Sequence, residues 1–229
     1  MAQVFGLITA RAGSKELPNK NILPFRGKPL IWHSINASLH ANCIDRTIVS
    51  TDSSLYAEMS REFGAEVPFI RPEKYSNDEA QDGHVYQHFI SCMDLQDQDI
   101  IVHLRPTNPR REEGLIDSVY QTMLESSANA IRTISSSRFS PYKMVHLYEN
   151  SITSVIDLPG KYLGCDLPRQ LLQPTYELNG NVDIFRVSNI AKFENAYPEN
   201  TFGYLQSNET LDIDTHDDFI SAQMITNQR

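Results

Sequence analysis

The chain has 229 residues, 40% of them hydrophobic and 21% charged, with a formal net charge of −9. That composition suits a globular protein with a proper core, and the acidic balance argues against a nucleic-acid binder, which carries a basic face or tail. No apolar run approaches the roughly 18 residues of a membrane helix, Met1-Ala2-Gln3 leads straight into strand-like sequence without a signal peptide, and the scattered Cys43, Cys92 and Cys165 fit a reducing compartment, so the expectation is a cytoplasmic protein without a membrane partner.

Val4–Thr9 is short and continuously apolar, the pattern of a strand buried on both faces. It stops at a basic loop of small residues, Ala10–Asn21, that carries Arg11, Gly13, Ser14, Lys15, Lys20 and Asn21. Gly13 lets a backbone amide approach a ligand closely, and the lysines and arginine are suited to polyphosphate. Behind Pro29, Leu30, Ile31, Ile35 and Leu39 recur at helical spacing. Thr47–Asp52 reads as a second strand; Ser53 is placed to cap a helix presenting Leu55, Met59 and Phe63, which Gly64 ends. Glu66–Ile70 reads as a third strand closed by Arg71-Pro72, and Val85, Phe89 and Met93 mark the next helix. Ile100–Leu104 has the character of a central strand and runs into the proline-stiffened loop Arg105–Arg111. Leu115, Ile116, Val119 and Met123 define a helix, and Ala130–Ser135 a fifth strand.

This alternation predicts one α/β domain over 1–229, a three-layer sandwich around a mostly parallel sheet. It breaks over 138–176, an inserted arm read as an oligomer contact or lid, and resumes with a strand at Asn181–Val187, a short helix near Asn189–Phe193, a strand at Tyr204–Gln206 and a terminal helix around Phe219 and Ala222.

In a parallel sheet the loops that follow the strands share one edge. That edge gathers Arg11, Lys15, Lys20, Arg71, Arg105, Arg110 and Arg111, which on an acidic protein implies a small polyanionic ligand. Asp212-Ile213-Asp214 is the acidic counterpart: with Ile213 packed inward on a strand, both carboxylates point the other way and suit a hard cation such as Mg²⁺. Asp214 or Thr215 also qualifies as the N-cap of the last helix. There is no P-loop, no Gly-x-Gly-x-x-Gly and no Gly-x-Ser-x-Gly. His84 and His88 read as ordinary helical histidines, and Asn179-Gly180-Asn181 as a tight turn that also brings amides to a ligand.

Ile8-Thr9-Ala10-Arg11-Ala12-Gly13-Ser14-Lys15 with Pro18-Asn19-Lys20-Asn21 closely resembles the signature of the acylneuraminate cytidylyltransferase (CMP-sialic acid synthetase) family. Val49-Ser50-Thr51-Asp52, then Arg71-Pro72 with Asp78, Ala80, Val85 and His88, then Arg105-Pro106-Thr107-Asn108-Pro109, Arg169-Gln170, Asn179-Gly180 and Asp212-Ile213-Asp214 follow in the family's order. The resemblance implies a Rossmann-like, glycosyltransferase-A-like nucleotidyltransferase with a dimerisation arm, hence a homodimer. It also implies Mg²⁺-dependent attack of a sugar hydroxyl on the α-phosphate of CTP, with release of pyrophosphate. By position, Arg11, Ser14 and Lys20 hold phosphates with Gly13 and Lys15 in the same loop. Asn21, Arg71 and Asp82 lie around the nucleotide, Arg105, Thr107, Arg169, Glu177 and Asn179 near the sugar, and Asp212 and Asp214 on Mg²⁺. Arg11, Lys20, Asp212 and Asp214 are the implied catalytic set.

The chain departs from the family pattern at Arg105, where Gln is usual, at Glu177, where many sialate enzymes carry Arg, and at Gln81 and Asp82, where small serines are usual. Glu177 suits an amino-bearing ulosonic acid, and Arg105 or Arg169 offers a replacement contact for a sugar carboxylate. A GTP-dependent sugar-1-phosphate nucleotidyltransferase and a non-catalytic nucleotide-sugar binding protein remain open readings.

Overall fold

A computed structural model of the chain describes residues 2–158, 166–193, 195–198, 200–207 and 210–226. Tyr162, Leu163 and Cys165 of the arm lie outside the described residues. The elements run β1 (Val4–Ala10), the two-residue strands β2 (Pro24–Phe25) and β3 (Lys28–Pro29), α1 (Leu30–Leu39), β4 (Arg46–Thr51), α2 (Ser54–Glu62), α3 (Asp82–Met93), β5 (Ile100–Leu104) and α4 (Leu115–Ser126). Then follow β6 (Ala130–Ser136), β7 (Val145–Tyr148), β8 (Ser151–Ser154), β9 (Tyr176–Arg186), α5 (Val187–Phe193), β10 (Phe202–Leu205) and α6 (His216–Thr226).

The main sheet has six strands in the order β10-β6-β9-β5-β1-β4, and the expected three-layer architecture holds. Alternate residues of β1 feed two cores. Ile8 and Ala10 pack with Ile31 and Ile35 of α1, Tyr56 of α2 and Val119 of α4, while Phe5 and Leu7 pack with Tyr86 and Phe89 of α3 and Ile190 of α5. β1 is parallel to both β4 and β5. The chain leaves β1 toward β4 on one side and later fills β5 on the other, so β1 and β5 flank a topological switch point, where open α/β sheets bind ligands.

Five expectations are corrected. Glu66–Ile70 is not a strand: a single parallel bridge joins Ile48 and Glu66, because Pro68 has no N–H to continue a ladder. Strand β9 is longer than expected and runs antiparallel to β5 and β6. The arm leaves the end of β6 and returns beside it, with Ser136 opposite Tyr176, and a chain that re-enters at the end it left runs back antiparallel. Asn179-Gly180-Asn181 is therefore no turn but lies within β9, where the register with β6 shifts. Asp212-Ile213-Asp214 is extended chain outside any strand, although Ile213 is fully buried as expected. On α2 the buried face is Tyr56, Ala57 and Ser60, with Leu55 exposed; the large Tyr56 ring takes the core position.

Candidate active site

The loops after β1 and β5, the Arg71–Asp82 segment and residues 212–214 enclose one open cavity of about 670 Å³, within the size range of small-molecule sites. Its walls include Arg11, Ser14, Lys15, Lys20, Asn21, Arg71, Asp82, Arg105, Thr107, Asp212 and Asp214. Gly13 lines an adjoining hollow that shares Arg11 and Arg71. Arg169, Glu177 and Asn179 do not line the cavity. Arg169 and Glu177 are exposed, and Asn179 is buried, donating to Gln206 Oε1 at 2.9 Å and accepting from Thr133 Oγ1 at 2.6 Å. Asn179 sits at the register shift of β9 and spends its side chain on these two bonds.

The basic loop is pinned at three points. Asp52 Oδ1, at the end of β4, accepts from Ala12 N at 2.9 Å, Asn21 Nδ2 donates to Arg11 O at 2.9 Å, and Leu17 is buried in a small core with Leu30, Ile213 and Ala222. Ile213 in that core brings the two acids against the loop: Lys20 Nζ donates to Asp214 Oδ1 at 2.7 Å. The acid pair is also tied to the β5 loop. Ile213 N donates to Thr107 O at 2.9 Å, and Asn108 Nδ2 bridges Asn179 O and Leu211 O, each at 3.1 Å. The helix-capping role falls to the next residue, with Thr215 N donating to Asp218 Oδ2 at 2.8 Å and Asp218 N to Thr215 Oγ1 at 3.2 Å.

Arg11, Lys15, Lys20 and Arg105 on the rim each pair with an aspartate. Asp78 takes Arg11 Nη1 at 3.0 Å and also pairs with Lys15. Arg71 is different: it is buried, its Nε donates to Ser76 Oγ at 3.0 Å, and its Nη1 is buried without a partner. Burial draws its pKa down, against the pull of Asp52. A buried guanidinium nitrogen left unpaired beside a cavity is a donor that a water or a ligand oxygen would satisfy. The Asp212 carboxyl is pushed above its ordinary value, first because the surrounding protein takes water from it and secondly because Asp214 is adjacent, with the hydrogen bond from Thr107 acting the other way. A divalent cation between the two carboxyls would favour their ionised forms, and Asp212 and Asp214 are the residues that could hold one. Among the described residues no three His, Cys, Asp or Glu side chains cluster as a metal site.

Below Arg105 and Asp82, on the α3 side of the sheet, lies a polar layer whose His103 and Asp183 the sequence reading did not single out. Arg105 Nη1 donates to Asp183 Oδ2 at 2.6 Å and its Nη2 to Asp82 Oδ2 at 2.8 Å. His103 is fully buried; its Nε2 meets Thr9 Oγ1 at 2.9 Å and its Nδ1 meets Tyr86 OH at 2.9 Å. Burial, reinforced by Arg105, pushes it down to about 3, so it is neutral in the working range. The one available signal was a polar or charged residue at an inward position of an otherwise apolar strand, at His103 and Asp183. His84 and His88 are helical, as expected, with the His88 ring edge-on to Phe69 and tilted against Tyr75.

A mostly parallel sheet with a basic loop after its first strand, a switch-point cavity and a late acid pair defines a Rossmann-like nucleotidyltransferase. The chain belongs to the cytidylyltransferase family, whose model, described as Cytidylyltransferase, matches residues 5–161. It is 33% identical over 217 residues to an N-acylneuraminate cytidylyltransferase of Streptococcus agalactiae, an alignment that takes in 93% of this chain and 51% of that protein. The chain thus spans about half the length of that relative. It is 31% identical over 228 residues to the CMP-N,N'-diacetyllegionaminic acid synthase of Legionella pneumophila, covering 97% of this chain and 96% of that one. Its fold is similar to that of a CMP:2-keto-3-deoxy-manno-octonic acid synthetase solved with CTP, with a TM-score of 0.67 at 16% identity and 99% of each chain covered. No helix among the described residues is long and apolar enough to cross a membrane.

Proposed function

We propose that the protein transfers CMP from CTP to an acidic sugar of the nonulosonic class and releases pyrophosphate. The observation that carries this reading is the opposition, in one cavity, of the Arg11–Asn21 loop and the Asp212/Asp214 pair, joined through Lys20 and Asp214 at 2.7 Å. The two relatives are named for acidic sugars of this kind, and family membership favours CTP over GTP. Arg11, Ser14, Lys15 and Lys20 would neutralise and orient the triphosphate, and the buried Arg71 would hold the nucleotide. In-line displacement at phosphorus depends on such charge neutralisation and positioning more than on covalent chemistry. Asp212 and Asp214 would hold Mg²⁺, which when bound neutralises phosphate charge and acidifies the attacking hydroxyl. The arm, whose described hairpin exposes Leu147 and Tyr148, is proposed as the contact of a homodimer.

The test is pyrophosphate release with CTP, Mg²⁺ and a panel of nonulosonic acids. Release with at least one of them is expected, and none with any of them defeats the reading. Asp214→Ala is expected to lower turnover by ~10²-fold or more with the circular dichroism unchanged. Undiminished turnover in that variant would remove the acid pair from the mechanism.

A further inference from the structure

We propose that Arg105 is the receptor for the carboxylate of the acceptor sugar, and that Asp82 occupies that receptor until the sugar arrives. The proposal rests on the acidic-sugar reading above and names the group that recognises the acid. Arg105 holds carboxylates on two different nitrogens, and the two differ in kind. The inner one, Asp183, is 0% exposed and is also held by Arg132, whose Nη2 lies 3.2 Å from Asp183 Oδ2. Breaking a buried pair leaves an uncompensated charge and is costly, so this contact fixes the guanidinium in place. The outer one, Asp82, is 53% exposed at its side chain. A pair whose carboxylate is that exposed contributes little and exchanges readily.

Arg105 and Asp82 both line the cavity, beside Thr107 and Asp212. An incoming carboxylate that takes Arg105 Nη2 therefore sits in the cavity that the acid pair also lines. A planar guanidinium anchored by one nitrogen and open at the other is a rigid donor matched to a carboxylate. The exchange also conserves charge: Arg105 and Arg132 balance Asp82 and Asp183, and the sugar's carboxylate takes over the charge that Asp82 withdraws. Asp82 has a place to go. It is the first residue of α3, whose N-cap Gln81 makes no side-chain cap bond, and the positive end of a helix stabilises an acid there. Glu177, which stands where many sialate enzymes carry Arg, is exposed on β9 and is not part of the cavity wall.

The experiment measures pyrophosphate release at saturating CTP against varied sugar acid, its methyl ester, and a sugar 1-phosphate. The wild-type protein is expected to show a KM for the ester roughly 30-fold or more above that for the acid. Arg105→Gln should raise the acid's KM by a similar factor, abolish the acid–ester difference and leave the KM for CTP within about threefold. Asp82→Asn, which keeps the Asp183 pair intact, should lower the acid's KM. If Arg105→Gln fails to fold because Asp183 is left short of a partner, the double variant Arg105→Met with Asp183→Asn removes both charges and replaces it. Equal KM values for acid and ester in the wild type, retained discrimination in the Arg105 variants, or a higher acid KM in Asp82→Asn overturns the proposal alone. No turnover with any sugar acid, or turnover with the sugar 1-phosphate instead, overturns the functional reading and this proposal with it.

Discussion

Asp183 shows how much of this site depends on single charges. Burial works against its ionised form, but Arg105 and Arg132 more than offset that and hold the carboxyl below its ordinary range. A depressed folded pKa means stability that is complete above the unfolded-state value of about 3.9 and is lost as pH falls through the lower folded value. Asp183→Asn is therefore expected to cost about 3 kcal/mol at pH 7 and to flatten the acid limb of stability, read by urea unfolding between pH 7 and pH 3. Arg11, Lys20, Asp212 and Asp214 were legible in the sequence, because a basic loop at a strand end and two acids around one apolar residue are local patterns. Asp183 was not. Its inward position hints at burial, but the partners that make that burial tolerable, Arg105 just past β5 and Arg132 of β6, come from across the sheet.

At the scale of elements, β9 shows where periodicity stopped being a guide. Its alternation predicts a strand over Asn181–Val187, but the strand begins at Tyr176 and carries an irregularity at Gly180. Gly180 has φ +67°, and a Cβ there would lie 2.9 Å from Asn108 Oδ1. Asn108 in turn holds Leu211 O, immediately before the acid pair. Gly180→Ala is expected to cost about 1–3 kcal/mol of stability and to lower kcat more than it changes the KM for CTP, because the strain reaches Asp212 rather than the basic loop. Thermal denaturation and steady-state kinetics check the two parts. The glycine in Asn179-Gly180-Asn181 does sit at positive φ, the conformation that makes such a sequence look like a turn, and the ladder on either side decides that it is a kinked strand.

On the scale of the whole molecule, the hairpin of β7 and β8 stands apart from the six-stranded sheet. Val145, Leu147 and Ile152 share one of its faces and are all exposed, Leu147 at 68%. A two-stranded hairpin is marginally stable on its own in water, and an apolar face of this kind is stabilised by a partner surface. Leu147→Glu is expected to turn a dimer into a monomer in sedimentation velocity without unfolding the main sheet; a wild-type monomer would remove the arm from the assembly.

The sequence by itself determined what depends on near neighbours: the continuous strands β1 and β5, the helices between them, the basic loop, the acid pair, and the family. Those follow from side-chain period and from residue types at fixed spacing, which act over a few residues. The tertiary structure decided which charge meets which. Lys20 finds Asp214 across 194 residues of chain, Arg105 divides itself between Asp82 and Asp183, and Arg169 and Glu177 are left outside the cavity. Pairings at that separation are set by sheet order and by the reversed direction of β9, because opposite charges attract strongly only when folding brings them within a few ångströms out of bulk water.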